Sequence, residues 1–231
     1  MSLFITFEGL DGSGKSTQAR RLYQRLEANG YPVILTREPG GTPISDRIRH
    51  IVLDLQQGEV DPTTEVLLFA AARAQHVAER IRPHLQFGGI VVCDHFADST
   101  YAYQGYGLGC DLEELRTITQ IATRGLRPDV TIYLNLPVVE GIERKRMAAV
   151  HSHDNTPLTS SGLGAGGSAL PPEWNRLDAR EVAFHERVHA GYRALIAAEP
   201  ERWLCFDGHL DQDTLARMIG QKIEPYLPSR R

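Results

Sequence analysis

Cysteine is sparse in this chain. Cys93, Cys110 and Cys205 stand far apart without metal-ligand spacing, so they form neither a disulfide framework nor a thiolate site and read as reduced thiols. No apolar run approaches the roughly 20 residues of a membrane-crossing helix. The N-terminus enters an apolar strand with no basic and apolar leader. A cytoplasmic protein without a membrane partner is therefore expected. Excess positive charge is also missing: 25 Lys and Arg face 29 Asp and Glu, a formal net charge of −4, which leaves no electrostatic footprint for nucleic acid. Lysine is confined to Lys15, Lys145 and Lys222, a bias without a functional reading of its own. With 231 residues and 42% hydrophobic content, the chain fits one domain, 1–231, with a core of useful size.

Against this ordinary background stands Gly9-Leu10-Asp11-Gly12-Ser13-Gly14-Lys15-Ser16-Thr17. Its glycines let backbone N–H groups turn inward around an anion, Lys15 adds a mobile cation, and the Ser16 hydroxyl suits Mg²⁺. The flanks agree. Leu3 to Phe7 is an apolar run of strand length, and Ala19, Leu22, Tyr23 and Leu26 recur at helical spacing before Gly30, a left-handed C-terminal cap. Bound phosphates would meet a helix N-terminus, where unpaired N–H groups and the helix dipole favour negative charge.

Further along, Val33 to Thr36, Ile90 to Asp94, Val130 to Leu134 and Trp203 to Phe206 read as short buried strands separated by helical patterns. Asp61 and Pro62 open a helix through Val66, Leu67, Ala70, Ala74, Val77, Ala78 and Ile81 that Pro83 is expected to end. Alternation of this kind predicts an α/β fold with a five-stranded parallel sheet flanked by helices. Ligands bind beyond the carboxyl ends of such strands, which gathers Gly9 to Ser16, Arg37 and Asp94 at one rim. One stretch breaks the rhythm. His151 to Glu173 is rich in Gly, Ser, Thr and Pro and reads as part of a lid inserted at about 148–176, with His151 and His153 more simply solvated than metal-binding.

Four more stretches narrow the reading: Thr36-Arg37-Glu38-Pro39-Gly40-Gly41-Thr42, Leu68-Phe69-Ala70-Ala71-Ala72-Arg73, Asp98-Ser99-Thr100-Tyr101-Ala102-Tyr103-Gln104-Gly105 and Arg127-Pro128-Asp129-Val130-Thr131. Together with the phosphate loop they resemble the bacterial thymidylate kinases, over about Leu3 to Leu227 apart from the inserted stretch. The resemblance implies a P-loop nucleoside-monophosphate kinase fold, a homodimer, and transfer of the γ-phosphoryl group of ATP to dTMP to give dTDP and ADP, with Mg²⁺.

It also implies roles. Gly9, Gly12, Ser13, Gly14, Lys15, Ser16 and Thr17 would hold ATP; Ser16 would bind the metal directly, with Asp94 reaching it through water. Arg37 would bind the acceptor phosphate, Asp11 would accept from the sugar 3′-hydroxyl, and Tyr103 would pack where a 2′-hydroxyl would clash. Phe69 and Arg73, four apart on one helix face, would stack on thymine and reach its carbonyl, while Ser99, Thr100 and Gln104 complete the base pocket. Ser13 occupies the place of a basic loop residue in one type of the family, so the lid must supply a cation. Asn175-Arg176-Leu177-Asp178 resembles the lid motif and makes Arg176 the choice, ahead of Arg144 or Arg146.

Two positions depart from the family pattern: its Asp-Arg pair is Asp94-His95 here, and Asn135 replaces an acidic strand end. His95 is expected to stand in for the arginine at the phosphates, offering one donor where the fork offered several. The alternatives are another nucleoside-monophosphate kinase, or a nucleotide-binding protein that lost catalysis through His95. A guanine-reading Asn-Lys-x-Asp motif does not occur.

Overall fold

The computed structural model describes residues 2–57, 59–153 and 174–228, with the side chains of 57, 149 and 151–153 outside that description. Most of the stretch read as a lid insertion, including the side chains of His151 and His153, therefore lies outside the described residues.

Five strands form one sheet: β1 (Leu3–Glu8), β2 (Val33–Arg37), β3 (Ile90–Asp94), β4 (Val130–Asn135) and β5 (Trp203–Asp207). All neighbours pair in parallel, in the order β2-β3-β1-β4-β5. This is the sheet expected from the sequence, with strands reaching up to one residue further than the apolar runs. Side chains of β1 alternate between its faces. Leu3, Ile5 and Phe7 bury against Ala19, Leu22 and Leu26 of α1 (Lys15–Ala28) and Leu215 and Ile219 of α9 (Gln212–Ile223). Phe4 faces the other way, joining Val91, Cys93, Phe96 and Ile81.

The register levels the functional ends of the strands. Asp94 lies opposite both Phe7 and Arg37, so Glu8, Arg37 and Asp94 arrive together at the carboxyl rim. Helix α1 starts directly after the glycine loop, and Gly30 (φ 79°) terminates it as expected. Gly12, at φ 79°, is required by contact as well as by conformation: a Cβ there would lie 2.0 Å from the Gly141 carbonyl oxygen. The loop thus rests on the first turn of α7 (Val138–His153) with no room for a side chain between them.

On the β2 side, α2 (Pro43–Leu53) leads to α3 (Pro62–His76), capped by the Asp61 carboxylate on the Thr63 and Thr64 N–H groups. The expected stop at Pro83 does not occur. A π-helical turn, Val77–Ile81, leads into α4 (Arg82–Gln86), and Pro83 sits in the first turn of α4, where its missing N–H is not needed. A second widened turn, Tyr101–Gly107, follows α5 (Ala97–Thr100) and precedes α6 (Leu112–Thr123). After α7 the described chain resumes at Trp174 and enters α8 (Val182–Ala198), which packs on the Tyr101–Gly107 turn.

Candidate functional site

At the donor side, Lys15 folds back over its loop: its Nζ donates to the Leu10 carbonyl at 2.7 Å and lies 3.8 Å from Asp11 Oδ1. Ser16, exposed at the start of α1, donates from Oγ to Asp94 Oδ2. The other carboxylate oxygen, Asp94 Oδ1, is buried with no hydrogen-bond partner among the described residues. A hydroxyl and a carboxylate with an unsatisfied oxygen beside a phosphate loop are the hard oxygen donors that Mg²⁺ takes, in the small number it uses when phosphates and waters fill its shell. The residues present fit the ion.

Beside Asp94, His95 has a left-handed backbone, φ 65°, and its N–H donates to the Phe7 carbonyl at 3.0 Å. Its ring is tied to Glu8, the last residue of β1 and fully buried. The carboxylate accepts from His95 Nδ1 at 2.9 Å, from the Phe96 N–H at 2.8 Å and from the Tyr192 hydroxyl at 2.8 Å. Because the carboxylate can only accept, the proton on that side of the ring is on Nδ1, and Nε2 is not engaged by any described residue. Burial and then the Glu8 charge push the Tyr192 hydroxyl well above its ordinary range, which keeps it a donor.

The residues around Arg73 are organised by a second buried carboxylate, Glu38. Arg73 Nε donates to it at 2.7 Å and His76 Nδ1 lies 3.1 Å away, while the other edge of the His76 ring bonds Thr36 Oγ1 at 2.7 Å. Arg73 spends two further donors on Thr100 Oγ1 and the Phe96 carbonyl. Phe69 packs with Val52 and Leu177, Ser99 Oγ turns back to the Phe96 carbonyl, and Gln104 bonds Glu65. Tyr103 joins the two sides: its hydroxyl donates to Asp11 Oδ2 at 3.3 Å, and its ring meets His95 edge-on at 6.2 Å. Among the described residues Arg37 forms no ion pair or side-chain hydrogen bond, although it lies level with Asp94.

The structure therefore brings together the loop residues, Asp94, His95, Tyr103 and Asp11, and separately Phe69, Arg73, Thr100 and Gln104. Arg176 is placed elsewhere than expected. It bonds Glu65 Oε2 and the Val52 carbonyl, partners that belong to α3 and α2 and not to the phosphate loop, because fully buried Glu65 also needs Arg180 and Gln104 to balance it. Arg144 donates to the Gly208 carbonyl and Arg146 lies over the Trp174 ring. Lys145, between them on α7, reaches the loop with its side chain, 3.5 Å from Asp11 Oδ1. Sequence reasoning missed Lys145, Glu8, Glu38 and Glu65. A carboxylate directly ending an apolar strand was a readable signal for Glu8; nothing local distinguished the others.

Glu38 yields a pH-dependent prediction. Burial opposes its charge, but Arg73 and His76 outweigh this and hold its carboxyl below the ordinary glutamate range. A depressed folded-state value adds stability above the unfolded value of 4.5, lost as pH falls through the folded one. Glu38→Gln should cost about 3 kcal/mol at pH 7, since it strands a buried guanidinium. The gap between wild type and variant in denaturant unfolding should narrow as pH drops below about 4.5; a gap independent of pH contradicts this account of the pocket.

The model of the family described as thymidylate kinase matches residues 7–157 of this chain. A curated thymidylate kinase from Roseiflexus castenholzii is 61% identical over 229 residues, covering 99% of this chain and 96% of its own. One from Herpetosiphon aurantiacus is 55% identical, covering 98% and 97%. Among solved structures, thymidylate kinase from Ehrlichia chaffeensis matches with a TM-score of 0.72 at 28% identity, covering 96% of this chain and 98% of that one. With the phosphate loop, the parallel sheet and the site at its rim, these matches show that the chain belongs to the thymidylate kinase family.

Proposed function

We propose the following path for the thymidylate kinase activity of this chain, in which the γ-phosphoryl group of ATP passes to dTMP. The observation that supports it most is the junction at Asp11, where the donor loop meets the acceptor pocket through the Tyr103 hydroxyl. ATP lies with its phosphates over Gly9 to Thr17 at the start of α1, where Lys15 exchanges the Leu10 carbonyl for a phosphate oxygen. Ser16 would hold Mg²⁺ directly and Asp94 would reach it through water, and the ion would neutralise phosphate charge. Arg37, without a partner of its own among the described residues, grips the acceptor phosphate.

The acceptor oxygen has already lost its proton at neutral pH, so transfer needs alignment and neutralisation and no general base. The bond from phosphorus to the β,γ-bridging oxygen breaks as one to the acceptor oxygen forms. His95, aimed by Glu8 through Nδ1, turns Nε2 toward the phosphates, where it serves in place of a guanidinium when that nitrogen also carries a proton. Asp11 accepts from the sugar 3′-hydroxyl. Phe69 and Arg73 face thymine, with Ser99, Thr100 and Gln104 at the pocket edge. Tyr103, locked between Phe184, Tyr192 and His95, fills the space beneath the deoxyribose.

A homodimer is supported by exposed apolar side chains on three helices that pack side by side: Ile44 and Ile51 of α2, Leu67 of α3 and Ile121 of α6. Sedimentation should show twice the mass of one chain. A single-chain species at micromolar concentration overturns this assignment.

Turnover with ATP and dTMP, dUMP, UMP, CMP, AMP or GMP tests the path. The rate should be highest for dTMP, and UMP should be rejected for lacking the methyl group and carrying a 2′-hydroxyl. Tyr103→Ala should lower the deoxyribose preference at least tenfold, about 1.4 kcal/mol of discrimination. Loss of activity with the sugar ratio unchanged removes the steric role from Tyr103.

A further inference from the structure

The path above leaves one buried cation without a part. Lys145 projects from α7 with its side chain only 9% exposed, 2.6 Å from Asp178 and 3.5 Å from Asp11 Oδ1. Lys15 approaches that same Asp11 oxygen to 3.8 Å. Two lysines therefore converge on one carboxylate oxygen, one from the end of the phosphate loop and one from α7. Beside Lys145 is a small cavity of about 10 Å³, at the lower limit for one water molecule. Buried His185, whose Nε2 has no partner among the described residues, and Trp174 help to line it.

The neighbouring cations are committed elsewhere: Arg144 to the Gly208 carbonyl, Arg146 to the Trp174 ring, and Arg176 and Arg180 to Glu65. The charges of the cluster also matter. Asp11 and Asp178 balance Lys15 and Lys145, so an arriving phosphate is opposed by Asp11 unless the lysines turn to it. Desolvation works against the Asp11 charge, yet Lys145 and then Lys15 hold its carboxyl far below the ordinary range. Burial and then the Asp11 charge push Asp178 up to about 6. Lys145 keeps its proton because both carboxylates outweigh its burial.

We propose that Lys145, tethered by Asp178, is the lid-side catalytic cation of this chain, moving from Asp11 onto the transferring phosphoryl group when nucleotides fill the site. The proposal rests on the thymidylate kinase reading. Phosphate oxygens carry more charge than one carboxylate and draw the ammonium group across. Asp178 retains its grip, and Asp11 is released to the sugar hydroxyl. A flexible four-carbon stem permits this short transfer, and the compact ammonium group neutralises the charge that spreads over the phosphoryl oxygens in the transition state.

The experiment compares full-length wild type, Lys145→Gln, Lys145→Arg and Arg176→Ala. It measures kcat and KM for ATP and dTMP, and the affinity for ADP, aluminium fluoride and dTMP together, which mimic the transition state, against ADP and dTMP alone. Lys145→Gln should lower kcat about 100-fold or more, in the range found for lost transition-state donors, with KM changed by no more than about threefold. It should also lose affinity for the fluoride complex far more than for the ground-state pair, a split that a purely structural role does not produce. Lys145→Arg should recover most of kcat. Arg176→Ala should leave the fluoride preference intact. Wild-type kcat in Lys145→Gln, or equal loss for both complexes, overturns the proposal; so does an unfolded Lys145→Gln if folded Lys145→Arg has lost the fluoride preference. Absence of dTMP turnover in wild type overturns the kinase reading itself, and the proposal with it.

Discussion

An aspartate inside a loop built to receive phosphate is the constraint on which the rest of this site depends. Asp11 repels the ligand that its neighbours attract, while Lys145 and then Lys15 favour its charge and the Tyr103 hydroxyl donates to its other oxygen. Each partner comes from a different element: the loop's own helix, α7, and the widened turn after α5. Satisfying one carboxylate therefore fixes the distance between the phosphate loop, Tyr103 and Asp178. The Gly12 contact with Gly141 serves the same end, since it lets α7 approach closely enough for Lys145 to reach.

Buried carboxylates play the corresponding part on the other sides of the site. Glu8 aims His95, Glu38 fixes Arg73 and His76, and Glu65 gathers Arg176, Arg180 and Gln104. Removing one partner from such a cluster costs several kcal/mol, because an uncompensated buried charge remains. These clusters are therefore better understood as devices for orientation than as sources of stability. They leave Asp94 Oδ1, His95 Nε2 and Arg37 without a partner among the described residues at the carboxyl rim of the sheet.

Much of this was legible in the sequence, for reasons that differ from place to place. Strand-length apolar runs over Leu3 to Phe7, Val33 to Thr36 and Ile90 to Asp94 foretold a parallel sheet, since fully covered strands leave a strong local signal. The phosphate loop was legible because its glycines meet backbone requirements that few other residues meet. Pro83 misled, because the π-helical turn ahead of it lets the helix continue, and such a turn depends on tertiary packing more than on any local motif. Arg176 drew attention by its motif, whereas its partner Glu65 lies 111 residues away in sequence, on another helix. Lys145 was hidden between two arginines on a helix whose exposed and buried faces only the contact with Gly12 and Asp11 could separate.

The role of Asp11 as the junction between donor and acceptor can be measured most directly through the substrate. The quantity is kcat/KM for dTMP relative to its 3′-deoxy analogue, compared between wild type and Asp11→Asn. A hydrogen bond from the sugar hydroxyl to a charged carboxylate, about 1.5 to 3 kcal/mol, predicts that wild type prefers dTMP by about 10- to 100-fold and that most of this preference disappears in Asp11→Asn. An unchanged preference in the variant would contradict the account.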